Sequence, residues 1–250
     1  MIGLIKHKFP IYLLSTYFLL VSSIVIGQSY IDYRSPFHPT SGQSGMVVSQ
    51  NKLSSDLGIE ILNKGGNAVD AAVAVGFSLA ITLPRAGNLG GGGFMLVYIK
   101  EKNEIFYIDY RSQSPLNADL TKLFGDKLPK DLEYKDFDVV REGYKASAVP
   151  GTVAGLLDAH ANFGKLPLDE ILEPVIKQAR EGIRVTYDLS KAIESTSQLA
   201  NDSESKRIYF KNNAPLKEGS LMKRPDLADT IQKISEEGKS GFYNGDIAKA

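Results

Sequence analysis

The chain of 250 residues contains no cysteine and only three histidines, His7, His38 and His160. Without cysteine there are no disulfides, no thiol nucleophile and no thiolate metal site in this chain. The histidines are isolated from one another, with no partner at ligand spacing, which argues against a metal centre or a Ser-His-Asp triad. His160 stands in a helix-like run and reads as a packed or surface histidine. Charge of one sign is also missing: 29 basic residues balance 29 acidic ones, with no long run of either. Nothing here marks a nucleic-acid partner or attraction to an anionic membrane. The four glycines Gly90–Gly93 lack the Lys and Ser/Thr that a phosphate loop requires, since Phe94 and Met95 occupy those places, and the GxGxxG spacing is unmet. A nucleotide-binding loop is therefore not expected.

What is present begins with Lys6 and Lys8 before an apolar run from Ile11 to Ile26, followed by Gly27. That layout predicts a secretory signal peptide over residues 1–27, cut after Gly27, and an exported protein, periplasmic or secreted. An uncleaved anchor is the alternative, for which the run is short. Residues 28–45 read as an extended lead-in, and Gly45–Ser49 as a short strand. Residues 46–250 form the body.

The most telling stretch of the body is GGNAVDAAVAVGFSLAITLPRAGNLGGGG, from Gly65 to Gly93. Asn67 is placed to cap a helix with Asp70 three residues on, and the small residues that follow let that helix lie close to a sheet. Another helix is expected before it, over Ser54–Asn63. After the glycines come two apolar segments, Phe94–Ile99 and Glu104–Tyr110, separated by a polar turn, the pattern of a β-hairpin. Leu116–Tyr144 reads as a surface excursion. Helices are predicted from Thr152 to about Asn162, from a cap at Asp169 to about Glu181, near Tyr187–Asn201 and near Asp226–Glu237. Gly245-Asp246 opens a helix that the chain leaves after one turn, which leads us to expect a fragment of a longer protein.

Arg111 is the candidate site residue. It follows the second hairpin strand, where its planar guanidinium would present a fork suited to a carboxylate. A salt bridge to Asp109 is the competing reading. Ser78, Thr82 and Thr152 offer hydroxyls, but none has a base beside it in sequence.

The run from Gly65 to Val97 followed by IDYR resembles the large-subunit signature of γ-glutamyltransferases (γ-glutamyl transpeptidases, glutathione hydrolases). The stretch VPGTVAGLLDAHANFGKLPLDEILEPVIKQAREGIRV, Val149–Val185, and the segment from Gly219 to Ala250 extend the resemblance over nearly all the chain beyond Phe37. It implies an α+β fold, the four-layer αββα sandwich of N-terminal-nucleophile hydrolases, incomplete in this chain. It further implies a precursor that cleaves itself into large and small subunits. The new N-terminal Thr of the small subunit attacks a γ-glutamyl amide such as glutathione and passes the glutamyl group to water, amino acids or peptides. No metal or organic cofactor is implied. Arg111 then stands where the family binds the α-carboxylate of the glutamyl group, with Asp109 as the residue that orients it. The catalytic Thr is expected outside this chain, so the polypeptide alone should be inactive and should expose apolar sheet edges. A related acylase of the same fold, such as a cephalosporin acylase, and an inert truncated binding partner are the other readings.

Overall fold

The structure, a computed structural model, describes residues 40–249 apart from 128, 134, 138–140 and 142. The expected signal peptide and most of the lead-in lie outside these residues. The chain divides into two units, Met1–Gln43 and Ser44–Ala250. Of the first, residues 40–43 are exposed and form neither helix nor strand. The second carries all of the elements that follow.

Helix α1 spans Lys52–Asn63, and its cap is Asn51, whose side chain accepts the Leu53 N–H at 2.9 Å. Helix α2 spans Ala68–Thr82 and opens on the capping box expected at Asn67. The Asn67 side chain accepts the Val69 and Asp70 N–H groups, and the Asp70 carboxylate accepts the Asn67 N–H at 2.9 Å. The later helices are α3 (Leu120–Phe124), α4 (Thr152–Phe163), α5 (Leu168–Glu181), α6 (Tyr187–Ser195), α7 (Ser203–Tyr209), α8 (Pro225–Glu237), α9 (Ser240–Tyr243) and α10 (Gly245–Lys249).

Helix α2 packs against three helices, α1, α4 and α5, and its Ala72, Gly76 and Leu79 share a groove with Met95 of β1. Ala71, Ala74 and Ala80 are buried there, and Leu156 of α4 fills the notch left by Gly76. Fully buried Phe77, Ile81, Ile171, Leu172 and Val175 form the centre of the core, which α8 extends through Ile231 and Ile234.

Strands β1 (Phe94–Ile99) and β2 (Glu104–Asp109) form the predicted antiparallel hairpin, with Phe94 opposite Asp109 and Ile99 opposite Glu104. Its turn places Asn103 at positive φ, which asparagine tolerates. Alternation divides the hairpin into two faces. Met95, Val97, Phe106 and Ile108 pack toward the core. Phe94, Leu96, Tyr98, Ile105 and Tyr107 face outward, with Leu96 73% and Ile105 70% exposed. The apolar surface left open is thus a whole sheet face as well as its edges.

Two-residue pairings complete the sheet content: β3 (Ile183–Arg184) with β6 (Leu221–Met222), and β4 (Phe210–Lys211) with β5 (Ala214–Pro215). Several boundaries differ from expectation. Gly45–Ser49 is not a strand, since no neighbouring strand among the described residues completes its hydrogen bonds. Asp169 is not the cap of α5. Pro167 holds that position and Asp169 sits in the first turn, where its charge still faces the positive helix end. The single helix expected near Tyr187–Asn201 breaks at Thr196, whose hydroxyl donates back to the Ala192 carbonyl at 2.8 Å. Helix α7 was not foreseen, and Asp202 caps it by accepting the Ser205 N–H at 2.7 Å.

Candidate functional site

The glycine run and Arg111, adjacent only by argument in the sequence, touch in the structure. The hairpin ladder continues one step past its strands, with Gly93 and Tyr110 exchanging both backbone hydrogen bonds at 3.2 and 3.0 Å. Gly92 then lies directly on the backbone of Tyr110, Arg111 and Ser112, where any Cβ would collide. Gly91 turns away to α4, and its carbonyl accepts the N–H groups of Gly151 and Thr152 at 2.8 and 3.1 Å. On the far side of Arg111, Gln113 and Val149 exchange backbone hydrogen bonds at 3.0 and 2.8 Å. Arg111 therefore sits between two fixed pairs of backbone.

Tyr110 is the packing centre of this junction. A Cβ on Gly155 would fall inside its ring, and one on Gly151 would strike its carbonyl. Burial raises the pKa of its phenol. Tyr243 supports the same helix end from the other side. Its hydroxyl donates to the Pro150 carbonyl at 2.9 Å and accepts the Ala154 N–H at 3.0 Å. Burial raises the Tyr243 pKa too, so the phenol remains a donor at neutral pH.

Arg111 itself is exposed, and among the described residues its guanidinium has neither ion pair nor hydrogen bond. The salt bridge to Asp109 is not formed. Instead the Asp109 carboxylate accepts the backbone N–H of Arg111 at 2.9 Å, an Asx turn that sets the chain direction and leaves the side chain available. Arg111 follows the end of β2 and lines a cavity of about 300 Å³ with Tyr110, Gln113, Gly151, Ala154 and Asp158. A cation with no internal partner, fixed on rigid backbone, can take an anionic group from solution.

The hydroxyl candidates are placed otherwise. Ser78 and Thr82 are buried, and the Ser54 hydroxyl stands 2.8 Å from each, while Ser78 donates to Gln178 at 2.7 Å. A hydroxyl locked in such a network between helices cannot meet a substrate. Thr152 is the first residue of α4. His160 is a packed histidine, its Nε2 donating to the Leu166 carbonyl at 2.8 Å. Among the described residues no group of His, Asp and Glu is placed to hold a metal.

The sequence singles out Arg111, Asp109 and the glycines as candidates but not Tyr110, Tyr243 or the Gln113–Val149 pair, which the structure brings beside them. Tyr110 stands next to Arg111 and could have been suspected. Tyr243 acts across about ninety residues, and no local pattern signals it.

Helices and an antiparallel hairpin built on one core make this an α+β chain. The family model for Gamma-glutamyltranspeptidase matches residues 54–250, and the chain belongs to that family. The glutathione hydrolase proenzyme of Escherichia coli (strain K12) is 40% identical over 215 residues, 85% of this chain and 36% of that protein. Among solved structures, Helicobacter pylori gamma-glutamyltranspeptidase superposes with a TM-score of 0.77 at 34% identity, covering 85% of this chain and 60% of that one. Gamma-glutamyltranspeptidase from Pseudomonas nitroreducens, solved with L-DON, gives 0.73 at 38% identity over 84% of this chain and 59% of that one. The chain spans about a third of the length of the curated relatives it matches.

Proposed function

We propose that this chain is the substrate-clamping part of the large subunit of an exported γ-glutamyltransferase. It would act on γ-glutamyl amides such as glutathione, with the threonine nucleophile supplied by a small subunit outside this chain. The observation that carries the reading is the Arg111 guanidinium, without a partner among the described residues, on a backbone fixed by Gly93, Asp109 and Val149. A free α-carboxylate is the ligand its planar fork fits best, since two parallel charge-assisted hydrogen bonds give both charge and geometry. The acyl transfer would proceed at the γ-carbonyl, with the α-carboxylate held away from the reacting atoms, so Arg111 binds and orients without moving protons.

The open hairpin face supports the second half of the reading. Phe94, Leu96, Tyr98, Ile105 and Tyr107 form an apolar surface that a complete protein of this family would cover. Next to the hairpin, a groove of about 620 Å³ runs between Met95 and the segment Met46–Val48, floored by Ala72, Gly76 and Leu79 of α2. Further strands laid on this face would build the αββα sandwich. No helix among the described residues is long and apolar enough to cross a membrane, and export rests on residues 1–27.

The test is Arg111→Lys in the full-length protein that contains this chain. Lysine keeps the charge and loses the fork, so KM for a γ-glutamyl amide should rise about ten- to hundredfold. An unchanged KM would remove Arg111 from the site. Turnover of a glutaryl amide, which lacks the α-carboxylate, in place of glutathione would transfer the chain to the acylases.

A further inference from the structure

We propose that Tyr243 is a positioning residue for Arg111, acting through the first turn of α4 and Tyr110; the proposal rests on the reading of Arg111 as the α-carboxylate clamp. Helix α4 has no side-chain cap of its own, because Gly151 stands at its N-cap. Tyr243 supplies what glycine cannot. Its single oxygen joins the Pro150 carbonyl, just before the helix, to the Ala154 N–H in the first turn. That N–H would otherwise have no partner within the helix.

The segment so fastened carries the two glycines that hold Tyr110. Gly151 lies against the Tyr110 carbonyl and Gly155 against its ring, with no space for even a methyl group at either. Any shift of residues 150–155 is therefore passed to Tyr110, and Arg111 is the next residue along. Because the guanidinium has no side-chain partner among the described residues, its place depends on the backbone that bears it. The path is one of direct contact at each step, from hydroxyl to helix turn to tyrosine to arginine.

The hydroxyl is separable from the docking of α9. Helix α9 packs on α8, and Lys239, just before α9, pairs with Asp158 of α4. Removing one oxygen leaves both of these contacts in place. It frees the turn at 150–154 without releasing the helix that carries residue 243.

The experiment uses the full-length protein, with two donors: a γ-glutamyl amide with a free α-carboxylate and the same compound with that group amidated. Tyr243→Phe should raise KM for the carboxylate donor about fivefold with kcat held within about twofold, the loss of one positioning hydrogen bond. KM for the amidated donor should not move, and in an Arg111→Lys background Tyr243→Phe should add nothing. Equal effects on both donors, or full additivity with Arg111→Lys, would show a merely structural role and overturn the proposal. If Arg111→Lys separates the donors and Tyr243→Phe does not, the positioning role fails while the clamp stands. If Arg111→Lys does not separate them, the clamp itself fails. Should Tyr243→Phe give no folded protein, p-aminophenylalanine at residue 243 keeps the ring and the donor to the Pro150 carbonyl and lacks a comparable acceptor for the Ala154 N–H. It should reproduce the donor-selective rise in KM, and an equal effect on both donors would again overturn the proposal.

Discussion

The helical layer of α1, α2 and α5 and the β1–β2 hairpin handle their surfaces in opposite ways. In the layer, every buried polar side chain is answered: Ser54, Ser78 and Thr82 bond among themselves and to the partly buried Gln178, and Asp70 accepts the N–H groups of Asn67, Lys165 and Leu166. The hairpin is finished on one side only. Its inner face joins the core, its outer face is apolar and open, and the arginine at its end has no partner among the described residues. Buried, paired groups are concentrated in the layer, and open surface is left at the hairpin. The difference shows that an element can be well ordered through one face while the other stays unsatisfied, provided a closed layer anchors it.

The junction between the two regions is where the comparison is most easily broken. Gly155→Ala would drive a methyl group into the Tyr110 ring, and urea unfolding should show a loss of about 3 kcal/mol. A neutral result would mean that α4 and the hairpin are only loosely joined. Within the layer, Asp70→Asn turns one acceptor oxygen into a donor facing backbone N–H groups, and should cost about 2 kcal/mol in the same measurement. The hairpin faces offer the smallest effects and the sharpest contrast. In the chain of 250 residues, Leu96→Thr on the open face should change stability by no more than about 0.5 kcal/mol, whereas Val97→Thr, one residue on and 6% exposed, should cost more than 1 kcal/mol. Equal costs would erase the distinction between the faces. In a longer protein, a clear cost for Leu96→Thr would locate the covering segment on that face.

Local chemistry explains which parts of this arrangement were legible in the residues. The Asn67 capping box, the hairpin and the glycine stops of α4 and α5 are written within a few positions, and all are found where expected. Arg111 was readable as a candidate from its place after β2, though its freedom from Asp109 was not, because Asp109 could serve either the side chain or the backbone. The packing of α2 against α1, α4 and α5 was not legible, since small residues allow close approach without naming what approaches. Helix α7 carries too short a signal, because five of its seven residues, Ser203–Tyr209, are polar or charged and none is fully buried. Tyr243 lay beyond reach for a different reason: its hydroxyl acts on a helix turn that only the folded chain brings near.

The Gln113–Val149 pair carries one more consequence. It fastens the two ends of the excursion at a single point beside Arg111. Lengthening or shortening the chain between those ends changes the closure entropy only logarithmically, and the change is absorbed beyond the fastening. Changes of length between residues 114 and 148 are thus expected to leave the Gln113–Val149 hydrogen bonds, and the backbone of Arg111 beside them, in place. The clasp makes the position of the arginine a matter of two hydrogen bonds and not of the length of the loop.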